Sequence, residues 1–88
     1  MSILKIFTVY DHKAKAHLPP FFLPQDGMAE RTFSDCCNNP EHQFGAHPED
    51  YTLMSIGEFD ESTAIITPTD IPHVHGVGVS FVQHKSPD

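Results

Sequence analysis

The sequence predicts a small α+β fold: one helix packed on a small, mainly antiparallel β-sheet, with an extended proline-rich arm. Three observations carry this. Short β-rich apolar blocks lie toward both ends of the chain, a single apolar stripe recurs at helical spacing between them, and three prolines bracket a Phe pair. With 88 residues the chain makes one domain, 1–88, whose last residues, 83–88, are expected to fray.

Taken in order, residues 3–10 are apolar apart from Lys5 and Thr8, and rich in β-formers. A run that is apolar on both faces suits an interior strand, or an edge strand covered by a partner. Asp11-His12-Lys13 reads as a turn. In Leu18-Pro19-Pro20-Phe21-Phe22-Leu23-Pro24, three prolines fix extended backbone and remove three amide donors, so this is an arm or edge segment rather than a central strand. Asp26 has the character of a helix N-cap, and Ala29, Phe33 and Cys36 or Cys37 form the buried stripe of the helix that follows. Asn38-Asn39-Pro40 ends it. Residues 41–50 read as a polar loop with one helical turn from Pro48. Alternation over 51–59 predicts a strand, joined through Asp60-Glu61-Ser62 to a second strand over 63–67 as a hairpin. Residues 68–72 read as a break, and 74–82 as a last strand or arm with Val77, Val79 and Phe81 on one face.

The formal charge of −7 argues against broad adhesion to nucleic acid. Cys36 and Cys37 are adjacent, a spacing in which a disulfide strains the backbone, so reduced thiols and an intracellular setting are expected. No signal-peptide core and no apolar run of spanning length is evident, which predicts a protein that stays in the cytoplasm where it is made. A chain this short has thin stability, and its apolar arms lack obvious places in a small core, so self-association into a homo-oligomer is expected.

Three kinds of chemistry compete with plain structural roles. His73 and His75 share a face of a strand, but with Cys36, Cys37, His42 and His47 they match no metal-finger spacing, so no metal and no cofactor is expected. The carboxylates, cysteines and histidines form no recognisable catalytic motif, so the protein is expected not to be an enzyme. Nucleic-acid contact has a better case. The segment before Gln25 carries three of the five bases and one acid, Asp11. Cations that track phosphates and aromatics that stack on bases hold single strands. On that ground Lys5, Lys13, Lys15, Phe21 and Phe22 are the candidate nucleic-acid-binding residues. The competing reading places both Phe side chains in the core or a subunit interface, with the lysines protecting an edge strand.

Several blocks, in order, carry a resemblance: Phe7-Thr8-Val9-Tyr10-Asp11 with Lys13-Ala14, the Leu18–Pro24 block, Phe33-Ser34-Asp35, His42-Gln43-Phe44-Gly45, His47-Pro48-Glu49-Asp50-Tyr51-Thr52-Leu53 and Gly57-Glu58-Phe59-Asp60. Together these resemble the nonstructural protein of the gokushoviruses, a branch of the Microviridae, over residues 3–82. Residues 61–76 carry no family motif. The resemblance implies a nonstructural or DNA-binding protein of a single-stranded DNA phage, likened to the small protein that helps isometric coliphages turn from duplex copying to single-strand synthesis for packaging. It brings no catalytic residues. Two functions follow as expectations. One is single-stranded DNA binding during replication in the host bacterial cytoplasm. The other is an acidic module that binds a replication initiator, a host replication factor or a capsid component.

Overall fold

The computed structural model describes residues 2–83. Strand β1 (Ile3–Asp11) runs through the centre of the sheet, and two short strands, β2 (Ala16–His17) and β3 (Phe21–Leu23), pair along one of its edges. Strand β4 (Tyr51–Asp60) pairs along the other edge and β5 (Ile65–Val77) pairs with β4. All pairings are antiparallel. Between β3 and β4 lie helix α1 (Asp26–Cys37), the single-turn helix α2 (Gln43–Ala46) and a 3-10 turn at Pro48–Asp50; a second 3-10 turn, Gly78–Phe81, follows β5. The α+β class expected from the sequence is the class observed.

The helices cover one face of the sheet. Phe7 and Val9 of β1 and Tyr51 and Leu53 of β4 meet Ala29, Phe33 and Cys37 of α1 and Phe44 of α2. Phe7 and Leu53 are wholly buried. The alternate β1 residues Ile6 and Thr8 are also buried, on the opposite face. This is why the segment reads as apolar throughout. The Thr8 hydroxyl donates to the Leu18 carbonyl at 2.8 Å. Prolines limit β3 to three residues, whose pairs are Lys5 with Leu23, Ile6 with Phe22 and Phe7 with Phe21.

Four details correct the sequence reading. Gln25, not Asp26, is the N-cap of α1, without a side-chain cap bond, and Asp26 lies inside the helix with its carboxylate turned to Lys5 at 3.2 Å. Part of the 41–50 loop is helix α2. There His42 is the N-cap, with Nδ1 accepting from the Phe44 amide at 3.0 Å, and the Phe44 ring lies 5.4 Å from Phe33 and 4.6 Å from Tyr51. The break at 68–72 is not a break in the strand. β5 runs through it, but its pairs jump from Pro68 opposite Gly57 to His73 opposite Ser55. Finally, the last strand stops at Val77. Gly78 meets the Pro48 carbonyl so closely that a Cβ has no room, and the 3-10 turn then carries Phe81 to within 5.3 Å of Phe33. Asn38 fixes this turn by donating to the Phe81 carbonyl at 2.9 Å and accepting from the Gln83 amide at 2.7 Å. Of the tail expected to fray, residues 84–88 lie outside the described residues.

The sheet outgrows its helical layer. The molecule extends 52 × 28 × 21 Å, and β5 is exposed from Ile65 to Val74.

Candidate nucleic-acid interface

Among the described residues, the β1–β2 turn is the most concentrated cationic feature outside an ion pair. Asp11 ends β1, and its carboxylate accepts from the Lys13 amide (2.9 Å) and the Ala14 amide (3.1 Å), folding residues 12–15 into a four-residue loop. Lys15 closes the loop in the left-handed region, at φ 54°. Lys13 and Lys15 are exposed. Beside them the Tyr10 ring lies 4.8 Å from both the His12 and the His17 rings, and His12 Nε2 is 2.7 Å from the Thr52 hydroxyl. Acids share this end: Asp11 itself, and Asp50, whose carbonyl accepts from the His12 amide at 2.8 Å. Burial, then Asp11 and Asp50, push the Tyr51 hydroxyl up from its usual pKa. Among the described residues no acid pairs with either ammonium group, so the patch offers two cations and three clustered rings in a nearly balanced local field. That suits a short contact mixing phosphate pairing and ring stacking better than a long electrostatic track.

The five residues nominated from sequence do not form one surface. Lys13 and Lys15 share the turn. Lys5 is six residues before Asp11, about 20 Å along the strand, and is half-buried in its pair with Asp26. Phe21 stacks on Phe7 at 5.7 Å and belongs to the margin of the core. Phe22 is 41% exposed on the opposite face, edge-on to Phe59 at 5.6 Å. Tyr10, His12 and His17 complete the turn cluster; the period-two spacing of Tyr10 and His12 is the signal that places them together.

A second polar site was not evident from sequence. The His75 side chain is 4% exposed, and its Nδ1 donates to Glu30 Oε2 at 2.9 Å. Its Nε2 is buried without a hydrogen-bond partner, 3.9 Å from Asp26 Oδ1. The His73 ring is 4.8 Å away, as their shared face predicts. Nearby, Lys5, Asp26, Ser55, Glu58, Thr67 and Thr69 line a cleft of about 210 Å³. The cysteines do other work. Cys37 is buried in the core, and burial followed by the Cys36 neighbour pushes its thiol up to about 11. Burial and Asp35 also raise Cys36. Both favour the protonated, unreactive form. Among the described residues, His47, Glu49 and Asp50 bring ligand atoms within 4.8 Å of one another, on an open surface. No helix is long and apolar enough to cross a membrane among the described residues.

Fold and surface together define a class: a small α+β protein whose antiparallel sheet is covered by helices on one face only. Residues 4–81, from β1 to the 3-10 turn after β5, match the family model of the phage ORF5 protein, and the chain belongs to that family. It is a bacteriophage protein. No curated protein and no solved structure matches the chain.

Proposed function

We propose that this is the nonstructural protein of a gokushovirus-type phage, and that it contacts single-stranded DNA through the β1–β2 turn during genome replication in the host cytoplasm. The observation that carries the reading is the grouping of Lys13 and Lys15 with the Tyr10, His12 and His17 rings. A left-handed backbone costs a non-glycine residue about 1–2 kcal/mol, so Lys15 stands where glycine would be conformationally cheaper.

The reading is quantitative. Two lysines release about two counterions, so the logarithm of affinity falls with the logarithm of salt at a slope of about −1.4 per chain for single strands. Fluorescence anisotropy with a labelled single-stranded oligonucleotide measures this slope. The Lys13→Glu/Lys15→Glu variant is expected to lose binding while keeping its circular dichroism. Binding that survives this exchange overturns the assignment.

The net charge of −7 favours a second reading, in which the acidic body binds a basic replication or capsid protein. Absence of DNA binding by the wild-type protein even at low salt is the outcome that selects it.

A further inference from the structure

We propose that the sheet face opposite the helices is the docking surface for a second copy of this chain. The pairing registers define that face. Leu4, Phe59 and Ile66 form one cross-strand row, Phe22, Ile6, Gly57 and Pro68 the next, and Thr8, Met54 and Val74 a third. Tyr10 and Thr52 continue it toward the basic turn. These rows hold no charged residue, on a molecule with seventeen acidic and basic side chains, twelve plus five. Ile66 is 58%, Val74 56% and Phe22 41% exposed. No helix among the described residues lies over them; α1 and α2 contribute to the core on the other side.

Size argues for a partner of similar extent. The long strands β1, β4 and β5 set a face about 30 Å long, in which Ile6, Thr8 and Thr52 are already buried within the chain and Phe22 on one margin and Ile66 and Val74 on the other are left for a partner to cover. A partner face of the same length covers both margins at once, as an interface of ~800 Å² per partner requires. Exposed apolar rows on the open face gain from cover, and another copy of the same uncharged rows supplies it at matching size through a two-fold axis. Edge-to-edge growth is a poor alternative. At one edge, β5, Pro68 and Pro72 lack amide donors and pairing with β4 lapses between Pro68 and His73; the other edge is only the short strands β2 and β3. Nucleic acid is also poorly suited to these rows, which offer no cation for a phosphate; Lys5, two residues from Phe7, points to the helix side. The two sheets therefore pack face to face, about 10 Å apart. Such a dimer carries two basic turns, but its formation does not depend on the DNA-binding reading.

Sedimentation equilibrium of the purified chain tests the proposal. The expected mass is that of two 9.8 kDa chains, and the Ile66→Glu/Val74→Glu variant is expected to sediment as one. Both positions are more than half exposed, so the monomer keeps its fold, read by circular dichroism. Conservative Ile66→Val/Val74→Ile is expected to retain the dimer. The proposal is overturned by a monomeric wild-type chain at its highest soluble concentration, or by a dimer that persists in the double-Glu variant. A monomeric wild type whose DNA binding is abolished by the double-Glu substitution assigns the face to nucleic acid instead. Conversely, a Lys13→Glu/Lys15→Glu protein that remains dimeric but fails to bind DNA separates the two readings.

Discussion

The two ends of the central sheet carry the same turn with opposite chemistry. Between β1 and β2, Asp11 accepts from the amide two residues on and Lys15 takes a positive φ of 54°. Between β4 and β5, Asp60 accepts from the Ser62 amide at 2.9 Å and Ala64 takes a positive φ of 63°. Each loop has four residues, since Asp11 pairs with Ala16 and Asp60 with Ile65. Between the fixed positions stand His12, Lys13 and Ala14 in one case and Glu61, Ser62 and Thr63 in the other. An aspartate and a left-handed residue thus suffice to build the turn. The positions between are free to carry charge, and the chain has used them differently at ends about 30 Å apart along β1.

Exchanging the two loops has the largest expected effect. Replacing Glu61-Ser62-Thr63-Ala64 by the residues of 12–15 is expected to leave urea stability within about 0.5 kcal/mol, as for other surface changes. If the basic turn is the DNA contact, the second copy of it steepens the salt slope toward about −2.8. An unchanged slope would show that the loop's charge is not what binds.

A smaller effect tests the shared backbone. Ala64→Gly relieves about 1–2 kcal/mol of left-handed strain but adds roughly 0.4–1 kcal/mol of unfolded-state entropy. A net gain of between about 0 and 1.6 kcal/mol is expected in denaturant unfolding. Lys15→Gly should gain a similar amount and lose DNA affinity, whereas Ala64→Gly should leave affinity alone. Different stability changes at the two sites would mean that the turns are not equivalent.

The least effect is acid dependence at the second turn. Hydrogen bonds from the Ser62 hydroxyl and amide hold the Asp60 carboxyl below its ordinary range. A depressed folded-state pKa adds stability above the unfolded value of 3.8 and loses it as pH falls through the folded value. Asp60→Asn is therefore expected to flatten the melting temperature against pH below about pH 4. A melting curve with the wild-type acid limb would remove Asp60 from that role.

Much of this fold was legible because local rules and tertiary contacts agree. The Ala29–Phe33–Cys37 stripe, the alternation from Tyr51 and the proline-bounded Phe pair all became the elements they suggest. The misses have a common cause. Helix α2 is one turn long, and Phe44 is its lone apolar signal in a polar stretch, so its stability comes from Phe33 and Tyr51, residues distant in sequence. Likewise, β5 continues through Pro68 and Pro72 because an edge strand tolerates missing amides. The candidate site was half legible. Charge and spacing singled out Lys13 and Lys15, but nothing local distinguishes them from Lys5, whose ion pair with Asp26 spans twenty-one positions.

The burial of His75 gives β5 a memory of its alignment. Leu53 pairs with Gly76 and Met54 with Val74, so His75 is the extra residue of a bulge. A strand with two irregularities and ten exposed residues before His75 has little else in that stretch to reject a neighbouring register. A shift of one position takes the imidazole away from Glu30 and puts Val74 or Gly76, neither able to donate from a side chain, opposite that carboxylate. The Glu30 contact thus works as a key that fits one alignment of the hairpin, and a misaligned arm leaves both that carboxylate and the imidazole without their partner.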